Sequence, residues 1–269
     1  FIGSYTSVFK GRGLVFKDYR PYNPNDDAAM IDWKASVKTK KLLVREFEEE
    51  RNLNIFFLID VSSSMVYGSI DKLKMEYAGE LIAALSYSVL NSGDSVGFAM
   101  FSDKIIKSSP PASGIIEYHN LIKTLVDPKY YGGKYDLNEA LKFTLAFLKE
   151  SSIVILVSDF IGLKSGWERY VKMVSKRYDL IGIMVRDPRD RALPDYSGQA
   201  VLEDPYSGRQ ILVRPELIGE EYKRHIAKQE QQIRDVFIKA YADFLELYTD
   251  KPFVEPITSL FIRRAAKHR

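Results

Sequence analysis

The chain has 269 residues, 46% hydrophobic and 28% charged, which supplies apolar material for a sizeable core and excludes a disordered chain. Its 39 Lys and Arg against 36 Asp and Glu leave a net charge of +3, too small to announce nucleic acid or an anionic membrane as a partner. Cysteine is absent, which removes disulfides, thiolate metal sites and cysteine nucleophiles together and agrees with a reducing compartment; a cytoplasmic location is expected.

Residues 1–50 are read as an N-terminal extension packing on the core. The stretch GRGLVFKDYRPYNPNDD gathers Pro21, Asn23, Pro24, Asn25, Asp26 and Asp27 and reads as a loop by turn chemistry. Gly11-Arg12-Gly13 lacks the strand, the helix and the further glycines of a phosphate loop. Asp26, Asp27, Asp32 and Trp33 are either a binding surface or a turn followed by an aromatic anchor tucked onto the sheet. LLVREFEEER reads as a strand ending in charge. The chain begins at Phe1 with no signal-peptide pattern, and no apolar run approaches the roughly 18 residues of a membrane span, so membrane association is expected only through a segment upstream of Phe1.

From 51 to 187 the pattern alternates. LNIFFLID is a doubly apolar run of the kind found in the middle of a parallel sheet. The stretch 71–91 repeats apolar residues at helical spacing through Leu73, Tyr77, Leu81, Leu85 and Val89. DSVGFAMFS and KIIKSS make a hairpin around Asp103 and Lys104, and GIIEYHNLIKTLV and DLNEALKFTLAFLKE are helical, the second capped by Asp136 or Asn138. SIVILVSDF is again an apolar strand ending in Ser-Asp, followed by a helix over 167–176 and the strand DLIGIMV.

Residues 188–269 form a C-terminal extension. QAVLEDPYSGRQILV is a β-hairpin around Pro205 and Gly208, 216–248 has helical periodicity through Tyr222, Ile226, Ile233, Phe237, Phe244 and Tyr248, and ITSLFIRRAAKHR is a short basic helix. His119, His225 and His268 are too scattered for a metal site and read as ordinary helix residues. The fold class is therefore α/β: a three-layer, mainly parallel central sheet flanked by helices, with the two extensions appended.

In an open parallel sheet, ligands bind at the carboxyl ends of the strands. Asp60 and Asp159 both fall there, and if their strands are neighbours, Asp60, Ser62, Ser64 and Asp159 converge as two carboxylates and two hydroxyls. Such an all-oxygen set suits a hard divalent cation, Mg²⁺ first and Mn²⁺ or Ca²⁺ as alternatives. The competing reading is that Asp60 and the serines cap the next helix.

Asp60-Val61-Ser62-Ser63-Ser64 resembles the D-x-S-x-S signature of the metal-ion-dependent adhesion site in von Willebrand factor A domains. The flanks GRGLVFKDYRPYNPNDD, IDWKAS, LLVREFEEER, GDSVGFAMF and VSDF resemble the bacterial domain-of-unknown-function 58 proteins over essentially the whole chain. The resemblance implies a non-enzymatic module that binds partner proteins, commonly a MoxR-type AAA+ ATPase, in chaperone-like remodelling or maturation. It assigns Asp60, Ser62 and Ser64 to the first metal loop and Asp159 to the third. The second loop should bring a threonine before an aspartate, and here Gly132-Gly133-Lys134-Tyr135-Asp136 has tyrosine in that place. A neutral phenol is a poor ligand; Asp136 is either its substitute or a helix cap.

Two other readings stand beside it. A Mg²⁺-dependent phosphotransferase or hydrolase would use Asp60 as nucleophile, yet such enzymes carry a second aspartate two residues later, where this chain has Ser62. A serine hydrolase lacks its G-x-S-x-G elbow. The last alternative is a metal-free interaction scaffold.

Overall fold

The computed structural model describes residues 14–24, 26–49, 53–149, 151–195 and 197–267; Gly11-Arg12-Gly13, Asn25 and His268 lie outside them. Strands β1 (Leu14–Pro21) and β2 (Leu43–Glu49) pair antiparallel, with helix α1 (Trp33–Thr39) between them. The expected loop is thus a strand up to Pro21, and the chain turns only beyond it. β-Formers at Leu14, Val15, Phe16 and Tyr19 outweigh the turn chemistry, which begins at Asn23. Asp26 takes both ends of the Arg20 guanidinium at 2.6 Å, and Asp27 and Asp32 cap the turns after them. Trp33 is 64% exposed and is not tucked onto the sheet.

The centre is a six-stranded sheet in the order β10-β7-β6-β3-β4-β5, built from β3 (Asn54–Asp60), β4 (Ser95–Phe101), β5 (Ile105–Ala112), β6 (Ile153–Ser158), β7 (Asp179–Arg186) and β10 (Asp243–Tyr248). All pairs are parallel except the β4–β5 hairpin. Because successive side chains on a strand point to opposite faces, β3 serves two cores. Ile55, Phe57 and Ile59 join helices α2 (Lys74–Asn91), α3 (Ile115–Leu125) and α8 (Val254–Lys267). Phe56 and Leu58 join α4 (Leu137–Phe147), α5 (Trp167–Arg177) and α7 (Pro215–Lys239). This is the expected three-layer architecture.

The short helix α6 (Pro188–Arg191) comes after β7, and strands β8 (Ala200–Glu203) and β9 (Gln210–Val213) make the expected hairpin. The helical reading of 216–248 is corrected at its end. Helix α7 stops at Lys239, Tyr241 turns the chain at φ +58°, and 243–248 becomes the sheet's sixth strand beside β7. Phe244, Leu245 and Leu247 favour a half-covered strand, and no Gly or Pro marks the break. His119 and His225 lie on helices α3 and α7, as expected. Among the described residues no helix is long and apolar enough to cross a membrane.

Candidate functional site at the carboxyl edge of the sheet

Strand β3 lies between β4 and β6, so the loops after β3 and β6 emerge side by side. Asp60 ends β3 almost wholly buried: one carboxylate oxygen accepts the Ser62 N–H at 2.9 Å, the other the Ser158 hydroxyl at 2.7 Å. The second loop is stitched to the first through Gly132 N–H to Val61 O (2.7 Å) and Ser63 N–H to Gly133 O (3.0 Å). Gly132 and Gly133 sit at φ +115° and +91°, where only glycine is unstrained.

That stitch directs Tyr135 inward. Its ring packs on Phe101 and its hydroxyl lies 3.1 Å from Ser158 Oγ. Asp136 points elsewhere: it caps α4 through Asn138 N–H and Glu139 N–H and meets Lys164 at 2.5 Å. Asp159, fully buried, accepts Ile161 N–H on one oxygen and the Lys74 ammonium, at 2.7 Å, on the other.

Lys74, 1% exposed, also donates to Asp190 at 2.9 Å. Asp190 accepts the Asp187 N–H, and Asp187 holds Ser69 through its N–H and hydroxyl. From the hairpin, Tyr206 reaches over the serines: its hydroxyl donates to the Ile161 carbonyl at 2.7 Å and lies 2.9 Å from Ser64 Oγ and 3.4 Å from Ser62 Oγ. A methyl group at Gly162 would stand 2.8 Å from the Tyr206 ring, so the glycine leaves the space the ring fills.

The site thus unites Asp60, Ser62, Ser64, Asp159 and Tyr135 and leaves out Asp136. The sequence reading missed Lys74, Asp187, Asp190 and Tyr206. The signals were faint: a lysine on the apolar stripe three residues before Tyr77, a third apolar strand running into aspartates in VRDPRD, and a large aromatic in a PYSG turn.

Comparison with known proteins agrees with this architecture. An uncharacterized protein of Mycobacterium tuberculosis is 26% identical over 266 residues, 97% of this chain and 83% of that one. Two solved structures share the fold: the conserved hypothetical protein BatB of Bacteroides thetaiotaomicron (TM-score 0.54, 17% identity) and an aerotolerance-related membrane protein of Bacteroides fragilis (TM-score 0.53, 16% identity). Each similarity covers 80% of this chain and all of the other. The family model described as "Protein of unknown function DUF58" matches residues 18–232. The chain belongs to the DUF58 family. The DUF58 match takes in the whole cluster, Lys74 and Tyr206 included.

Whether this DUF58 site fits a divalent cation is a question of charge. The donor atoms are of the right hard type. Yet each carboxylate oxygen of Asp60 and Asp159 already accepts a hydrogen bond from the protein, and the serines face a phenol. Burial, then the neighbouring aspartate charges, keeps both Tyr135 and Tyr206 protonated far above neutrality. The ammonium on Asp159 weighs most: it occupies one oxygen of the third-loop carboxylate, which already accepts the Ile161 N–H on the other, and sets a positive charge where an ion would have to approach. Burial disfavours the Lys74 charge, but Asp159 and Asp190 outweigh it and hold its pKa above the usual lysine value. As arranged, the residues do not fit the ion.

The same electrostatics give a pH dependence. Burial, and then the charge of Asp159, push the Asp60 carboxyl up to about 7. Between the ordinary carboxyl value of 3.8 and that value the folded chain holds a proton the unfolded chain has lost, so this group makes stability fall as pH rises through the window. Asp60→Asn is isosteric and uncharged. It is expected to unfold like the wild type near pH 4 and to be on the order of 4 kcal/mol more stable near pH 8. Urea unfolding at both pH values checks this; equal stabilities near pH 8 would show that Asp60 bears its charge there without cost.

Proposed function

We propose that the chain is a non-enzymatic protein-interaction module that docks partners at the carboxyl edge of its sheet. A MoxR-type AAA+ ATPase is the partner the family resemblance implies, with chaperone-like remodelling or maturation as the setting and the cytoplasm as its place. The observation that carries this reading is the loop after β3. It holds Asp60, Ser62 and Ser64 buried while setting Val66, Tyr67 and Ile70 outside at 43%, 43% and 39% exposure, an apolar rim beside a polar cluster. Rims of this kind mark contact surfaces.

The phosphotransferase alternative has less behind it. A nucleophilic Asp60 would need a free, reachable carboxylate oxygen, and both of its oxygens are buried and bonded.

Binding to a purified MoxR-type ATPase is expected, and Ile70→Asp should weaken it about tenfold or more without lowering the melting temperature. Ile116→Asp, exposed at the opposite edge of the sheet where β5 ends, should bind like the wild type. Equal losses in both variants would mean docking elsewhere; hydrolysis of a generic phosphate ester, lost in Asp60→Asn, would reinstate the enzyme.

A further inference from the structure

We propose that Lys74 is the built-in cation of this edge, and that the site works without a divalent ion. The inference deepens the docking reading above and concerns the same loops.

Lys74 opens helix α2 on the stripe that continues through Tyr77, Ala78 and Leu81 into the core, a stripe otherwise filled by apolar side chains. A lysine there loses its hydration and most of its side-chain freedom, so its presence calls for a compensating role. Its contacts supply one. The ammonium joins Asp159, from the loop after β6, to Asp190, on the helix after β7, while its own backbone N–H holds Tyr67 O in the loop after β3. Two separate loops are therefore drawn together by one positive charge, and the backbone of the same residue ties in the third. That is the service a bound dication performs at an oxygen-rich edge, done here by a group that is covalently attached and cannot be chelated away.

The arrangement also sets the ligand class. A bound dication with an open position attracts a carboxylate from outside. This edge instead neutralises its cation with two internal aspartates, and its buried hydroxyls and carbonyl, covered by Tyr206, are reached by a partner only where that phenol is displaced. A partner group taken at this edge is one that hydrogen-bonds as that phenol does, not an acidic side chain.

The test is ion uptake by the full chain, read from the electron paramagnetic resonance of free Mn²⁺. The wild type should leave the free-ion signal unchanged at millimolar Mn²⁺. Stoichiometric loss of signal that disappears in Asp159→Asn overturns the proposal. Lys74→Ala should gain one bound Mn²⁺ per chain, abolished by adding Asp159→Asn; a folded Lys74→Ala that gains none refutes the claim that the ammonium stands in the ion's place. Should that variant fail to fold, the wild-type measurement still decides. Docking of the ATPase measured in chelator and in Mg²⁺ separates the two readings. Equal docking supports both, and docking that requires Mg²⁺ overturns only the built-in cation. Loss of docking under both conditions sinks the partner and leaves the Mn²⁺ result to judge Lys74.

Discussion

Lys74→Met is expected to cost about 3–5 kcal/mol, the range for removing one partner of a buried ion pair, and to lower the melting temperature by roughly 10 °C. Methionine fills nearly the same volume, so packing is not the source of the loss. The loss comes from Asp159 and Asp190, one fully buried and the other 9% exposed at its side chain, which then face each other without the ammonium. In the wild type the Lys74 pKa is raised, so its contribution is intact below the ordinary lysine value of 10.5 and fades only as pH climbs through the folded value. The deficit of the variant should accordingly be steady from neutrality to about pH 9, and should shrink in acid, where the stranded carboxylates take up protons. Adding Asp159→Asn to Lys74→Met should restore about 1–3 kcal/mol, a coupling measurable by urea unfolding of the four chains in the cycle. A loss below about 1 kcal/mol in the single variant, the cost of an exposed pair, would show that the bridge carries no such weight.

How far the sequence discloses the structure depends on the range over which each interaction acts. Strands β3, β6 and β7 are unbroken apolar runs because both faces of each are covered, and a run of that kind is visible locally. The convergence of Asp60, Ser62, Ser64 and Asp159 could be read because strand ends in a parallel sheet share an edge. Strand β10 was hidden because Phe237, Phe244 and Tyr248 continue a helical spacing across a break that no glycine or proline announces. Strand β1 was hidden by the cluster of turn formers just beyond its end. Lys74 and Tyr206 were beyond reach for another reason: Lys74 meets its aspartates 85 and 116 residues away, and Tyr206 meets Ser64 across 142 residues. Local pattern says nothing of such pairs, so the sequence offered the oxygens and not what holds them.

The second large effect is expected at Phe237, whose replacement by alanine should cost about 3–5 kcal/mol. The ring is fully buried; it packs edge-on against Phe160, with ring centroids 5.8 Å apart, and lies tilted against Phe244 at 4.9 Å. Its seat on β7 exists because residue 182 is glycine: a methyl group there would stand 2.6 Å from the ring. The consequence for the site comes through Phe160, the residue after Asp159, which holds φ +56°. A left-handed backbone costs a non-glycine residue on the order of 1–2 kcal/mol and persists only while its surroundings enforce it. Ser158 Oγ fixes the Phe160 N–H at 2.9 Å, and the Phe237 ring fixes the side chain. Phe237→Ala removes the second constraint, so the loop bearing Asp159 should open more readily than the whole chain unfolds. Amide exchange at Ile161, whose N–H is held by Asp159, reads that opening directly. Leu260→Ala, in the core on the other face of the sheet, provides the contrast, with a comparable loss of about 2–5 kcal/mol and no separate opening at Ile161. If Ile161 in both variants exchanges only as fast as global unfolding allows, Phe237 stabilises the fold without buttressing the site.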